Sequence, residues 1–351
     1  MFILISILIF GLIIAIHELG HFLAAKLFGV GVPEFAIGMG PRIFKIQGKE
    51  TLYSLRAIPV GGFCAMDGDD NEEQGEKSLF SKPLWQRLII FLSGSLLNIV
   101  TAFLVLLIVH ASLVAVPTRE ISAFAEGFPH QHEQGFQVGD SFHRIGPSRV
   151  FQNNNIGLLL DLEGGAPIDI VVIRDGQRVT IEGITLERQV FEEGQNPRYG
   201  FYFMVNHDPT FADRFAHTVN VTGDFIRQLP LTLRMFISGQ AGMGDVSSVV
   251  GIVDLMNEAG QTAETAGLAA LRLAVLAAII SISVAMVNLM PIPGLDGGRI
   301  FLMLVSAAFS KLFRREFPAK LENYVNTVGL ILLFGFMIFI IFNDIVRIVQ
   351  R

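Results

Sequence analysis

The chain has 351 residues, 51% of them hydrophobic, with a mean hydropathy of +0.53 and a formal net charge of −6. Soluble domains disperse a similar apolar share; here it collects in long runs, which excludes a single soluble globular domain. The negative charge offers no broad basic surface and argues against nucleic acid as a partner. The single cysteine, Cys64, excludes an intrachain disulfide and a multi-cysteine zinc knuckle.

The first run, over about 1–28, opens MFILISILIFGLIIAI. No Lys or Arg precedes Lys26, and no small-residue cleavage site interrupts the run, so a permanent membrane helix is expected rather than a removed leader. Its end carries His17-Glu18-Leu19-Gly20-His21. Residues four apart share a helix face, so both imidazoles can grip one metal ion. Glu18 then stands beside the metal, placed to take a proton from a water there. The alternative is a pair of satisfied core histidines. Three ionisable groups in a lipid-embedded helix count against it, because such groups are costly unless functional.

Residues 29–87 follow as a loop. Residues 32–66 are Gly-rich with β-like stretches and predict a β-hairpin ending at Pro59-Val60-Gly61-Gly62-Phe63. Its apolar content permits it to dip into the membrane where protein or water satisfies its backbone. The run DGDDNEEQGEK at 67–77 reads as a solvated acidic loop without EF-hand spacing. A second span is expected over about 88–116, closing a first membrane part over 1–116. Residues 117–205 show short strand-like runs, with Asp175-Gly176 between two of them as a hairpin signal. Residues 206–267 pattern as a helical segment on the membrane surface. A second membrane part, 268–351, holds a third span over about 268–290 and a fourth over about 326–347.

All seven lysines, at 26, 45, 49, 77, 82, 311 and 320, fall after the first span or in the loop expected between the third and fourth. By the positive-inside rule these segments are cytoplasmic, and 117–267 and both termini are outside. The fold class expected is therefore a polytopic α-helical membrane protein of about four spans, with a membrane-associated β-hairpin and one extracytoplasmic β-rich domain.

Two histidines leave a catalytic zinc one protein ligand short. Glu34 is the nearest downstream acid but follows Gly29, Gly31 and Pro33, off the helix. Asp296 stands in Asn288-Leu289-Met290-Pro291-Ile292-Pro293-Gly294-Leu295-Asp296-Gly297-Gly298, at the inner end of the third span. The prolines break the helix and the glycines let the backbone turn. By itself Asp296 reads as a helix-ending turn aspartate; topology puts it at the depth of the incomplete histidine pair, which makes it the expected third ligand.

HELGH together with NLMPIPGLDGG resembles the site-2 protease family of intramembrane zinc metalloproteases, and within it the bacterial branch with a PDZ domain. Gly94-Ser95-Leu96-Leu97-Asn98 resembles the family's GxxxN element, Gly135 to Gly146 its PDZ element, and Phe342-Asn343-Asp344-Ile345 the end of its last helix. Ser247-Ser248-Val249-Val250-Gly251-Ile252 matches a family element only loosely, and one PDZ-like domain fits where some relatives carry two. The resemblance implies one zinc ion per chain, and substrates that are single-span membrane proteins such as anti-sigma factors and remnant signal peptides. It also implies regulated intramembrane proteolysis in a bacterial inner membrane. The PDZ-like domain would bind a substrate terminus or exclude bulky outer domains.

The hairpin's end could receive an extended substrate by strand addition, so Gly61, Gly62 and Phe63 are expected substrate contacts. Asn288 could hold substrate backbone through its amide, or bond between helices. Asn98 joins this set, with helix packing beside Gly94 as the alternative. His130 and His132 give a weak hint of an outer metal site. The competing functional class is a metal transporter using His17, His21 and Asp296 as a transit site, for which Glu18 would be unnecessary. A third is a catalytically dead scaffold.

Overall fold

The structure is a computed structural model and describes residues 2–68, 75–191, 196–239, 249–314 and 319–350. Most of the acidic run at 67–77 and all of Ser247-Ser248 lie outside these residues. The chain forms two compact units, Met1–Leu106 with Gly242–Arg351, and Leu107–Ala241.

The first unit opens with α1 (Phe2–Leu27), long and apolar enough to span a bilayer, then β1 (Glu34–Gln47) and β2 (Leu52–Ala65). The long helix α2 (Leu84–Ala111) begins four residues before the expected span and ends before its expected limit. Ser112 and Leu113 turn the chain, and Pro117 cannot continue a helix, so Val116 already starts a strand.

The hairpin is more elaborate than two antiparallel strands. Residues 34–37 run parallel to 52–55 (Glu34↔Leu52 through Ile37↔Leu55) and oppose 62–65 on their other side (Glu34↔Ala65 through Ile37↔Gly62). Residues 44–47 oppose 52–55 in turn (Phe44↔Leu55 through Gln47↔Leu52). Two bent strands thus make four lanes, in the order 44–47, 52–55, 34–37, 62–65. One edge of the sheet is the 62–65 lane. Gly11 of α1 lets β2 lie against the helix at Pro59, since a Cβ there would stand 2.2 Å from the Pro59 carbonyl oxygen. The lanes are pinned by Glu34, which accepts from Arg42, Ser54 and Arg56 at 2.6–3.2 Å.

The second unit holds β3 (Val116–Phe124), β4 (Ser141–Ile145), β5 (Ser148–Arg149), α3 (Ile156–Leu162), β6 (Ile168–Arg174), β7 (Gln177–Ile184), β8 (Phe201–Asn206) and α4 (Phe211–Ile237). The sheet order is β7-β6-β4-β3-β8, with β5 on β4. Asp175 and Gly176 both take positive φ (50° and 78°), as a tight β6–β7 turn demands. Phe136, Phe142, Ile145, Leu159, Leu160 and Ile170 fill the core at 0–2% exposure. Each such side chain contributes about 1.5–3 kcal/mol of burial. Asp140 is fully buried and accepts from both Arg174 Nε and Nη2 (2.7 and 2.8 Å) and from the Gln137 N–H. The helix α4 starts at a capping box, with Thr210 accepting from the Asp213 N–H and Asp213 from that of Thr210.

The first unit resumes with α5 (Val249–Gln261), α6 (Ala266–Asn288), α7 (Asp296–Phe313) and α8 (Ala319–Gln350). The segment expected as one surface linker therefore divides. The helix α4 belongs with the sheet, while α5 sends Met256 into a cluster with Ile13 of α1 and Leu273 and Ile280 of α6. The connection after the third span is not a loop but the 18-residue helix α7. Ile300 and Met303 pack one side of it into the cluster of Ala25, Phe35 and Ile90, and Leu302 is buried as well. Among the described residues, four helical stretches are long and apolar enough to cross a membrane: α1, α2, α6 and Thr327–Val346 of α8.

Two outcomes follow. Arg42, with Ser54 and Arg56, holds the Glu34 carboxyl down at about 2 against the opposing effect of burial. The stability this adds to the hairpin is present above the ordinary value of 4.5 and is lost as pH falls through about 2. Hydrogen exchange of hairpin amides should accelerate in that window, and in Glu34→Gln the acid step should vanish. Asp140→Ala leaves Arg174 without its carboxylate and should cost the β-rich unit about 3–5 kcal/mol, read as its denaturant transition in the full-length protein.

Candidate metal centre

One helical turn on α1 sets His17 and His21 face to edge, with ring centroids 4.8 Å apart and planes at 85°. Their Nε2 atoms stand 3.2 Å from each other. Asp296 Oδ2 lies 3.0 Å from His17 Nε2 and 3.2 Å from His21 Nε2. The three side chains are only 7%, 6% and 17% exposed. Three ligand atoms so close are the arrangement that one cation satisfies together. Tetrahedral zinc with bonds of about 2.0–2.1 Å needs donors about 3.3 Å apart. Two imidazoles and a carboxylate also form a donor set that catalytic zinc uses, with a fourth position open. Among the described residues no other His, Cys, Asp or Glu trio is as tightly grouped, so the outer histidines at 130 and 132 form no such site.

Each ligand is positioned by backbone. The helix α6 ends at Asn288, Pro291 and Pro293 bar its continuation, and Gly294 turns the chain at φ 94°. Asp296 is then the first residue of α7. The turn expected of the glycines is made by Gly294; Gly297 and Gly298 lie inside α7 and permit close packing instead. A Cβ on Gly297 would stand 2.3 Å from the Leu289 and Met290 carbonyl oxygens, and one on Gly298 2.1 Å from that of Ile292. The first turn of α7 thus sits directly on the broken end of α6, which fixes Asp296.

The helix α2 closes the other side. A Cβ on Gly20 would meet the Ser93 carbonyl oxygen at 2.4 Å, and one on Gly94 would meet His21 Nε2 at 2.4 Å and His17 Cε1 at 2.8 Å. His21 Nδ1 donates to the Ile90 carbonyl at 2.8 Å, which fixes the tautomer that leaves Nε2 free for a metal.

The general-base candidate, Glu18, accepts from the Cys64 N–H at 3.0 Å through Oε2. Cys64 sits on the 62–65 edge lane, and a Cβ on Gly62 would come within 3.6 Å of Glu18 Cγ. Gly62 is thereby beside Glu18, with Gly61 and Phe63 flanking it in β2. Asn288 Nδ2 lies 3.4 Å from His17 Nε2, so it too borders the trio. Asn98 differs from these: it is wholly buried, and its carbonyl accepts from Ser281 of α6. Glu34, the other acid weighed as a ligand, is tied to Arg42 and Arg56 instead. The Ile90 carbonyl and the Cys64 N–H were not foreseeable, because backbone groups carry no residue signature.

The model of peptidase family M50 matches residues 5–336. A protein of Clostridium perfringens (strain 13 / Type A) named as a zinc metalloprotease is 32% identical over 347 residues, covering 99% of each chain. One of Clostridium acetobutylicum with the same kind of name is 34% identical over 345 residues, covering 98% of this chain and 97% of that protein. One of Fusobacterium nucleatum is 32% identical over 351 residues, covering 97% and 98%.

Gly94→Ala should displace both imidazoles. The expected result is a protein that still inserts in membranes but holds far less than one zinc per chain by elemental analysis, with any activity down about 100-fold, as for an ångström-scale misplacement of reacting groups.

Proposed function

The chain belongs to peptidase family M50 and is a zinc metalloprotease with several membrane spans; from that premise we propose that it hydrolyses peptide bonds inside the membrane-spanning segments of other proteins. The observation that carries the reading is Glu18, which neighbours the ligand His17 on α1 and accepts from the edge lane of the hairpin. Bound zinc supplies an activated water and a polarised scissile carbonyl. His17, His21 and Asp296 are the residues that would hold it. Glu18 acts as general base, taking the proton of the attacking water and returning it to the leaving nitrogen. The Cys64 N–H keeps the carboxylate aimed during both transfers.

A substrate helix must unwind before its peptide bond can be attacked, because helical carbonyls are already hydrogen-bonded. The 62–65 lane is an edge, and an extended substrate added along it would receive main-chain hydrogen bonds beside Glu18. Gly61, Gly62 and Phe63 would line that strand, and Asn288 would bond its backbone next to the metal. The substrates are single-span proteins of the anti-sigma-factor kind and remnant signal peptides, cut in regulated intramembrane proteolysis in a bacterial inner membrane. The lysine distribution supports an active site toward the cytoplasm and a PDZ-like β-rich unit outside.

The test compares purified wild type and Glu18→Gln on a model single-span substrate in detergent, with bound zinc measured in both. Both should hold about one zinc, and only the wild type should cut within the span, the variant losing at least about 100-fold in rate. Metal transport in vesicles that survives Glu18→Gln, without cleavage by either protein, would favour the transit-site reading instead.

A further inference from the structure

Zinc-bound histidines nearly always donate their second ring N–H to an outer partner, which fixes the ring and strengthens the ligand. His21 follows this rule through Ile90. His17 does not yet have such a partner: its Nδ1 is buried and makes no hydrogen bond. With Nε2 on the metal, Nδ1 carries the proton and is an orphan donor. Such buried orphans are rare.

The helix α2 carries the complementary orphan. Asn98 is 0% exposed, and neither its amide oxygen nor its amide nitrogen has a hydrogen-bond partner. Three contacts give the relation of the two helices. His21 meets Ile90, Gly20 meets Ser93, and His17 meets Gly94, so the numbers fall on α1 as they rise on α2. The helices are antiparallel, and Asn98 lies one turn beyond Gly94 on the same face. Side chains lean toward the start of their own helix. On antiparallel helices this makes His17 lean toward the level of Asn98, and Asn98 lean back toward the level of His17. Asn98 is also braced from behind, because Ser281 of α6 donates to its main-chain carbonyl at 3.1 Å.

We propose that Asn98 is the positioning residue for the zinc ligand His17, its Oδ1 accepting the His17 Nδ1 proton when the metal is bound. This assigns Asn98 to the metal rather than to substrate. It makes α2 the outer support of both histidines, by a backbone carbonyl for one and a side-chain amide for the other. The inference rests on the metal centre and not on where substrates are cut, so its test reads metal alone.

Full-length wild type, Asn98→Leu and Asn98→Asp are purified in detergent, and zinc retention is measured against a graded chelator. Each is also loaded with cobalt(II) and its visible absorption recorded. The leucine variant, similar in size but without an acceptor, should lose zinc about 10–100-fold more readily, with an altered cobalt spectrum. The aspartate variant keeps an acceptor and should restore both toward wild type. Retention and a cobalt spectrum unchanged in Asn98→Leu would overturn the assignment. So would equal losses in both variants, which would mark Asn98 as a helix-packing residue. If the leucine variant fails to accumulate, Asn98→Ala takes its place with the same two readouts.

Discussion

A carboxylate and two imidazoles stand within 3.2 Å of one another in a poorly hydrated segment, and much of the first unit is arranged around that crowding. Charged groups removed from water cost several kcal/mol each unless opposite charge compensates them. A divalent cation is the compensation that suits this donor set. The helix α1 can deliver two ligands because four residues make one turn. It cannot deliver the third, since its next residues run away from the metal. The third ligand therefore has to come from a chain end aimed at the same depth. That requirement explains why α6 is broken by two prolines and why α7 begins at the ligand itself.

Holding three helices this close leaves no room for side chains between them. At Gly20, Gly94, Gly297 and Gly298 an added Cβ would fall 2.1–2.4 Å from a carbonyl oxygen or an imidazole nitrogen. These glycines weaken a helix locally, by about 0.5–1 kcal/mol each relative to alanine. Their contribution is backbone contact that sets helix positions to a fraction of an ångström, as small residues do between membrane helices. The metal centre is thus placed by main-chain packing, with the ligands as its visible tips.

Much of this was legible in the sequence, for physical reasons that differ from residue to residue. The spans announce themselves because a bilayer admits only long apolar helices. His17 and His21 are legible because helical periodicity is local, and Asp296 because topology puts two segments at one depth. The β6–β7 turn at Asp175-Gly176 is legible because few residues tolerate positive φ. The helix α7 was hidden behind the Pro and Gly residues that start it, which read as a loop until packing is known. The parallel pairing of 34–37 with 52–55 was hidden as well, because long-range strand order leaves no periodic trace. The division of the 206–267 segment escaped for the same reason: amphipathic patterning says that a face is buried, but not against which unit.

The edge lane of the hairpin ties the site to the proposed reaction. A general base must stand on the side from which the peptide arrives, and Glu18 is one residue from a ligand, so the helix turns it away from the face of His17 and His21. What it meets there is the Cys64 N–H, a main-chain donor at the open side of a sheet. A helix packed at that position would offer a substrate only side chains. A strand edge offers main-chain donors and acceptors in fixed register, and these hold only an extended partner. On our proposal the same sheet edge therefore does two things at once. It orients the base, and it selects the unwound form of the substrate, the one form in which a peptide carbonyl is free to face the metal.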